Sequence, residues 1–535
     1  MAIRTWDGGG GDALASTAAN WSDNTAPVAG DAVVFDATSS KNCTFDLTAD
    51  FASLNTTGYG GVVTASATTT VSGNVTLANS TWTHGSQQFV FDATGTFTTN
   101  NNSLYDVDFT DGITATIVGG MTVVRHAILI NAVNTTTYNG NGSIVTMYVG
   151  GDVTATSGRA SGTTSTNYVN VEMNGTGDQT FTGNTSYTNV PGKLVFNKAS
   201  GIAYIAGGLI PYAGITHTTG STNFSTNTVT TYVKDFSLST TSFTSNSGVT
   251  LYNFTVGDSK TLTLTDLMSV ANTLDIGGGA VGTTTINGSI SLAGNFINTA
   301  GNQVNGTFAL TFAGSNNQTW SATNTSYIIG GGAMTINKSG GTLSINGAVR
   351  WDGSIVYTAG TVDASTGTSD LKVVVAQTLN TNGMSWYDIT MGANITLGSN
   401  LTLTRNWTKT AGTLSGAYAV VFNGTSTVTG ATAFYSLTIN SAKTVHLTST
   451  QTFSTNASGT FTATGATLDA TTPSSAAILT VNGSHSVGTV AATDIDSSAG
   501  NTVHNIGGTN TRTTNWDTTA PAAATFVGML LMGVG

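Results

Sequence analysis

The chain has 535 residues, and only 8% of them are Asp, Glu, Lys or Arg, against about 25% in an ordinary soluble domain. The net charge is −11, which excludes a basic stripe for nucleic acid and a polybasic patch for membranes. Hydrophobic residues still make up 39%, enough to bury a continuous core and too many for a disordered linker.

Glu172 is the only glutamate, so the polar surface falls to Thr, Ser, Asn and Gly. Those side chains compete for the backbone or restrict χ1, and they lose in helices. The composition therefore predicts an all-β fold. Proline is scarce, with 5 residues in the chain, as long ladders that use every amide hydrogen require.

Residues 1–40 read as an N-terminal cap and attachment segment. They hold Trp6, the run Gly8-Gly9-Gly10-Gly11, Trp21 and Pro27, and they are less periodic than the middle of the chain. No apolar run follows a basic stretch in Met1–Asp7, so a Sec-type signal is expected to be absent from this sequence. Asp7 and Asp12 flank the four glycines. Carboxylates and carbonyls so placed can hold calcium, but a plain glycine loop is the expectation. Cys43 has no partner for an intramolecular bridge and reads as a small core hydrophobe.

Residues 41–490 read as a repetitive body. Leu104-Tyr105-Asp106, Leu251-Tyr252-Asn253, Trp386-Tyr387-Asp388 and Phe434-Tyr435-Ser436 each precede an alternating pattern. A longer repeat places Gln179 to Lys198 over Gln318 to Lys338. From Tyr187 it continues at a fixed offset of 140, so that His217 falls on Tyr357, Gly220 on Gly360 and Ser225 on Ser365. Segments such as Thr261–Thr265, Leu401–Thr404 and Ser436–Asn440 alternate with period two. Asn139-Gly140-Asn141-Gly142 and Gly277-Gly278-Gly279 mark turns, and the second lacks the Lys and helix pattern of a phosphate cradle. Repeats that keep a core pattern while drifting in length predict stacked coils, an elongated β-solenoid (β-helix) with distinct terminal caps.

Residues 491–535 read as the C-terminal cap. They carry Asp494, Asp496, Trp516, Pro521 and the apolar run Phe526–Gly535. That run is too short for a membrane-crossing helix, which needs about 20 apolar residues. It is expected to be a buried end or a subunit contact.

The opening Thr5-Trp6-Asp7-Gly8 … Asn20-Trp21-Ser22 … Pro27-Val28-Ala29-Gly30-Asp31 through Phe35 resembles the N-terminal segment of repetitive β-helix surface proteins of bacteria and phages, autotransporter-like adhesins and virion fibre proteins among them. Asp494-Ile495-Asp496-Ser497 … Thr514-Asn515-Trp516 resembles their closing segment. The resemblance covers roughly the first 36 and last 30 residues and implies architecture more than role.

Chemistry has few candidates. Glycan-cleaving β-helices need converging carboxylates, one protonated and one ionised. Asp106 with Asp108 and Asp494 with Asp496 have the spacing of two that shares a strand face, yet turn roles are the expectation. His84, His126, His217, His446, His485 and His504 stand singly along the chain without ligand spacing. Thr-x-Thr stretches invite an ice-binding face, but drift between repeats spoils the register such a face needs. The expectation is therefore no catalytic, metal or cofactor site. It is a non-enzymatic structural or adhesive protein of an extracellular assembly, first a phage virion fibre or surface decoration. A bacterial cell-surface adhesin or filament subunit comes next, and a tailspike-like glycan depolymerase last. Partners are expected to be itself or other surface proteins through the terminal segments, with host glycans as a further contact, and neither nucleic acid nor a membrane span.

Overall fold

The computed structural model describes every residue except 131–134, 156–158, 163–165, 184–189, 224–229, 234–239, 245–248, 258, 277–281, 299–302, 323–326, 331, 365–369, 382–383 and 521–535. The glycines at 277–279, the apolar run at 526–535, and Tyr187, Ser225 and Ser365 of the long repeat lie outside the described residues.

The fold is a β-solenoid of about 19 turns, 58% strand. Among the described residues the helical content is one 3₁₀ turn, Ala18–Asn20, and no helix is long and apolar enough to cross a membrane. The ladders are parallel, as stacked coils of one hand must be. The chain divides into two compact units, Met1–Asn316 and Asn317–Gly535.

In the first unit an eight-stranded sheet runs from Ile3–Thr5 to Arg159–Gly162, and a three-stranded one joins Cys43–Phe45, Val63–Ala65 and Trp82–Thr83. Register turns the period-two pattern into vertical columns. Val33, Leu54, Val75, Phe97 and Ile117 are Cα partners on successive coils, and all are buried. Each such side chain contributes about 1.5–3 kcal/mol by leaving water. Cys43 sits in the core opposite Val63, and burial raises its thiol pKa well above the ordinary value. It is a packing residue.

Beside the first strands lies an aromatic cluster. Trp6 and Trp21 are fully buried, with ring centroids 5.4 Å apart, and both pack on Phe35 at 5.7 Å. Their indole N–H groups donate to Lys41 O at 3.0 Å and Ala15 O at 2.7 Å, so neither ring is buried with an unmet donor.

In the second unit a nine-stranded sheet runs from Ala348–Val349 to Thr509–Thr511, a six-stranded one from Ser385–Trp386 to Ser484–Gly488, and a four-stranded one from Thr432–Phe434 to Ile495–Asp496. The column Val349, Leu371, Ile389, Trp407, Val428, Leu447 and Ala470 is continuous through seven coils. Near the end Trp516 packs 6.3 Å from Phe461 and donates to Ser497 Oγ at 2.9 Å. The alternating segments behave as their pattern requires: Leu262, Leu264, Leu401, Leu403, Leu437 and Ile439 point inward and are buried. At 139–142 the chain reverses through positive φ at Asn141 (55°) and Gly142 (84°), and Asn139 Oδ1 accepts the Asn141 amide.

Candidate functional site

The recurring Tyr-Asp motif is a latch between coils. In Ser103–Phe109 the register slips between Leu104 and Asp106, a bulge that turns Tyr105 and Asp106 toward the next coil. Arg125 Nε donates to Asp106 at 2.7 Å, its Nη2 reaches the second oxygen, and the guanidinium lies 5.1 Å above the Tyr105 ring. Tyr387-Asp388 repeats this with Arg405, whose guanidinium is 4.2 Å from the Tyr387 ring and whose Nε bonds Asp388 at 2.9 Å. Tyr252-Asn253 uses the neutral version: a bulge precedes Asn253, and Asn272 Nδ2 donates to it at 2.8 Å. In Phe434-Tyr435-Ser436, Ser436 Oγ accepts the Thr460 amide at 3.0 Å.

The two aspartate pairs do not converge as an acid and a base. Both oxygens of Asp106 are held by Arg125. Asp108 is half-buried; desolvation raises its pKa, with His126 lowering it and Asp92 raising it, while Asp106, two residues before it, is occupied by Arg125. Asp494, buried, at φ 57°, takes both Nε and Nη2 of Arg512 at 2.6 Å and the Ser474 amide at 2.9 Å. The Arg512 guanidinium lowers its pKa. Asp496 accepts the Ser498 amide at 2.9 Å as a turn residue. The five arginines with described side chains all pair with aspartate.

The glycine run between Asp7 and Asp12 does hold a cation, and it is the protein's own. Lys41 Nζ donates to Gly10 O at 2.7 Å, Gly8 O at 3.0 Å and Asn20 Oδ1 at 3.3 Å. Asp7 accepts the Gly9 amide, while Asp12 accepts Leu14 N, Thr17 Oγ1 and Asn20 Nδ2. The carbonyls that would face a calcium ion already face an ammonium group.

The long repeat builds the same device twice. Lys198 is 1% exposed, and its Nζ donates to Gln179 Oε1 at 2.6 Å and to Gly175 O and Gly177 O, each at 2.8 Å. Lys338, 2% exposed, donates to Gln318 Oε1 at 2.5 Å. Burial lowers both lysine pKa values, and the oxygen acceptors are what keep a buried ammonium tolerable. His217 Nε2 bonds Gly220 O at 2.9 Å, and the Tyr357 hydroxyl donates to Gly360 O at the aligned position. The His217–Tyr357 alignment is thus a shared hydrogen-bond position.

The remaining histidines are not single either. His84 stacks on Tyr105 with centroids 5.2 Å apart. His446 Nδ1 bonds Asp469 Oδ1 on the next coil. His485 and His504 stack at 5.6 Å and 21°, and His485 Nε2 accepts the His504 amide at 3.1 Å. Burial first, then His504, lowers the His485 pKa. His126 Nε2 shares a hydrogen bond with Thr154 Oγ1 at 2.8 Å.

Ligand spacing read along the chain missed these partners because a solenoid's neighbour lies one coil away. The separations are 17 for Asp388–Arg405, 19 for Gln179–Lys198 and 23 for His446–Asp469. Among the described residues no three His, Cys, Asp or Glu side chains gather as a metal site. No protein-family model, curated protein or solved structure matches the chain.

Proposed function

We propose that the chain is a non-enzymatic structural and adhesive protein of an extracellular assembly, and that the assembly is a phage virion in which it serves as a fibre or surface decoration. The observation that carries this reading is the use made of ionic side chains. Arginine–aspartate latches and buried lysines join one coil to the next, so these charged groups are committed to holding the stack together. Thr, Ser and Asn dominate the outward strand positions, a polar surface suited to contact. The terminal segments supply attachment to itself or to other surface proteins.

The test is location. Antibody labelling and electron microscopy of purified phage particles from the source culture should place the protein on the particle exterior, and mass spectrometry of the particles should recover it. Recovery only from shaved bacterial surfaces would replace the virion with a cell-surface adhesin.

A further inference from the structure

One ladder of the second unit is interrupted where the chain passes from one sheet to another. One sheet has its last strand at Leu414–Ser415, while a different, four-stranded sheet has its first at Thr432–Phe434. Leu414–Ser415 pairs back onto Ile395–Thr396, and Thr432–Phe434 pairs forward onto Phe453–Thr455. Between them no ladder is formed. A solenoid face with a break in its ladder cannot be flat, and here the surface opens into a cleft of about 810 Å³.

The lining of that cleft is specific in character. None of its residues is charged, in contrast to the ionic latches elsewhere. Ser415, Ser454, Asn456 and Asn482 supply hydroxyl and amide groups, and the ring of Tyr435 is partly exposed beside them. Phe434 is buried beneath, and Ala417, Ala433 and Ala457 keep the walls low. Backbone bonds fix the floor: the Asn456 amide reaches Phe434 O at 2.9 Å and Tyr435 O at 3.2 Å, and Asn482 Nδ2 donates to Thr455 O at 2.9 Å. The site is preformed, concave and mixed in polarity, as small-ligand sites are.

We infer that this cleft binds a neutral oligosaccharide, with one sugar ring laid on Tyr435 and its hydroxyls bonded to the Ser and Asn side chains. Sugars present an apolar CH face and a rim of neutral donors and acceptors. An amphipathic phenol ring among amides and hydroxyls matches both. An acidic glycan would find no cation here. A peptide strand would find edges of two and three residues, too short to hold it by main-chain pairing.

The inference deepens the adhesive part of the proposed function and rests on the chain being displayed outward. Its test is nonetheless separate from particle localisation, so either can fail alone. The full chain is titrated with maltotetraose, chitotetraose, tetragalacturonate and an extended Thr/Val decapeptide, observed by saturation-transfer NMR and calorimetry. One or both neutral tetrasaccharides should bind. Tyr435→Ala should weaken binding at least tenfold, and Ala417→Trp, which fills the cleft from an exposed position, should abolish it with the thermal unfolding curve unchanged. The inference is overturned if neither neutral sugar binds, if only tetragalacturonate or the peptide binds, or if both variants bind as the parent does.

Discussion

Two stretches 140 residues apart, Lys193–Ala206 with Gly214–Asn223 and Met334–Asn346 with Ile355–Asp363, build one device from partly different residues. Gln179/Gln318, Lys198/Lys338 and Gly220/Gly360 are the same in both, while Phe196 becomes Ile336 and His217 becomes Tyr357. The difference separates what the chemistry demands from what it tolerates. A buried ammonium needs an oxygen aimed at it, so the glutamine stays. The glycine stays because a Cβ would stand 2.6 Å from the lysine Cβ, and because φ is 97° at Gly220 and 108° at Gly360. The core position needs only apolar volume, and the bond to the glycine carbonyl needs only a donor, which imidazole and phenol both provide.

The largest expected effect is on the lysines. Lys198→Met and Lys338→Met keep the stem and remove the ammonium, leaving buried oxygens unfilled. Each should cost about 3 kcal/mol in denaturant unfolding, and a cost below about 1 kcal/mol would mean the ammonium is dispensable. Gly220→Ala and Gly360→Ala should each cost about 2 kcal/mol from left-handed strain and the close lysine stem. The charged latch comes next. A double-mutant cycle on Asp388 and Arg405 should give about 1 kcal/mol, discounted because Arg405 is 44% exposed, and the Asn253–Asn272 cycle about half of that. Exchanging His217→Tyr or Tyr357→His should be smallest, under about 1 kcal/mol.

Imidazoles sharpen the same contrast through pH. His217 Nε2 meets a carbonyl and must donate, so protonation keeps the bond. His485 Nε2 accepts a backbone amide, so its protonation breaks that bond. The folded His485 pKa is lowered by burial, so the neutral ring favours folding. That contribution is full above the unfolded value of about 6.5 and is lost as pH falls through the lower folded value. The titratable groups on the strands packed against His485 are His504 and, beyond it, Asp517 4.0 Å from His504; Thr460–Thr464 carries none. Between pH 7.5 and 5 the amide protection factors, which correct for the slower intrinsic exchange at low pH, should fall at Val503–His504 and not at Gly214–Asn223.

Much of the architecture was legible in sequence because it depends on local rules. Period two put Leu262 and Leu401 inward, and scarce Glu and Lys removed helices. The Tyr-Asp motif and the 140-residue offset were visible too, but their purpose was not. Arg125 is as far from Asp106 in sequence as one coil is long, and nothing local to either residue names the other. The cage around Lys41 stayed hidden for the same reason. The cleft at Leu414–Phe434 was invisible because it arises where a ladder stops, and coil-length drift blurs that event in the sequence.

The central claim is that Asp106 and Asp494 brace coils through arginine and that neither aspartate pair works as an acid and a base. The most direct measurement incubates the purified chain with bacterial envelope polysaccharide and tracks new reducing ends and unsaturated products over hours. The account predicts none, from the parent chain or from Asp106→Asn/Asp108→Asn and Asp494→Asn/Asp496→Asn, with the substitutions showing only in unfolding curves. Oligosaccharide release by the parent chain, abolished by either double substitution in a protein that remains folded, would contradict it.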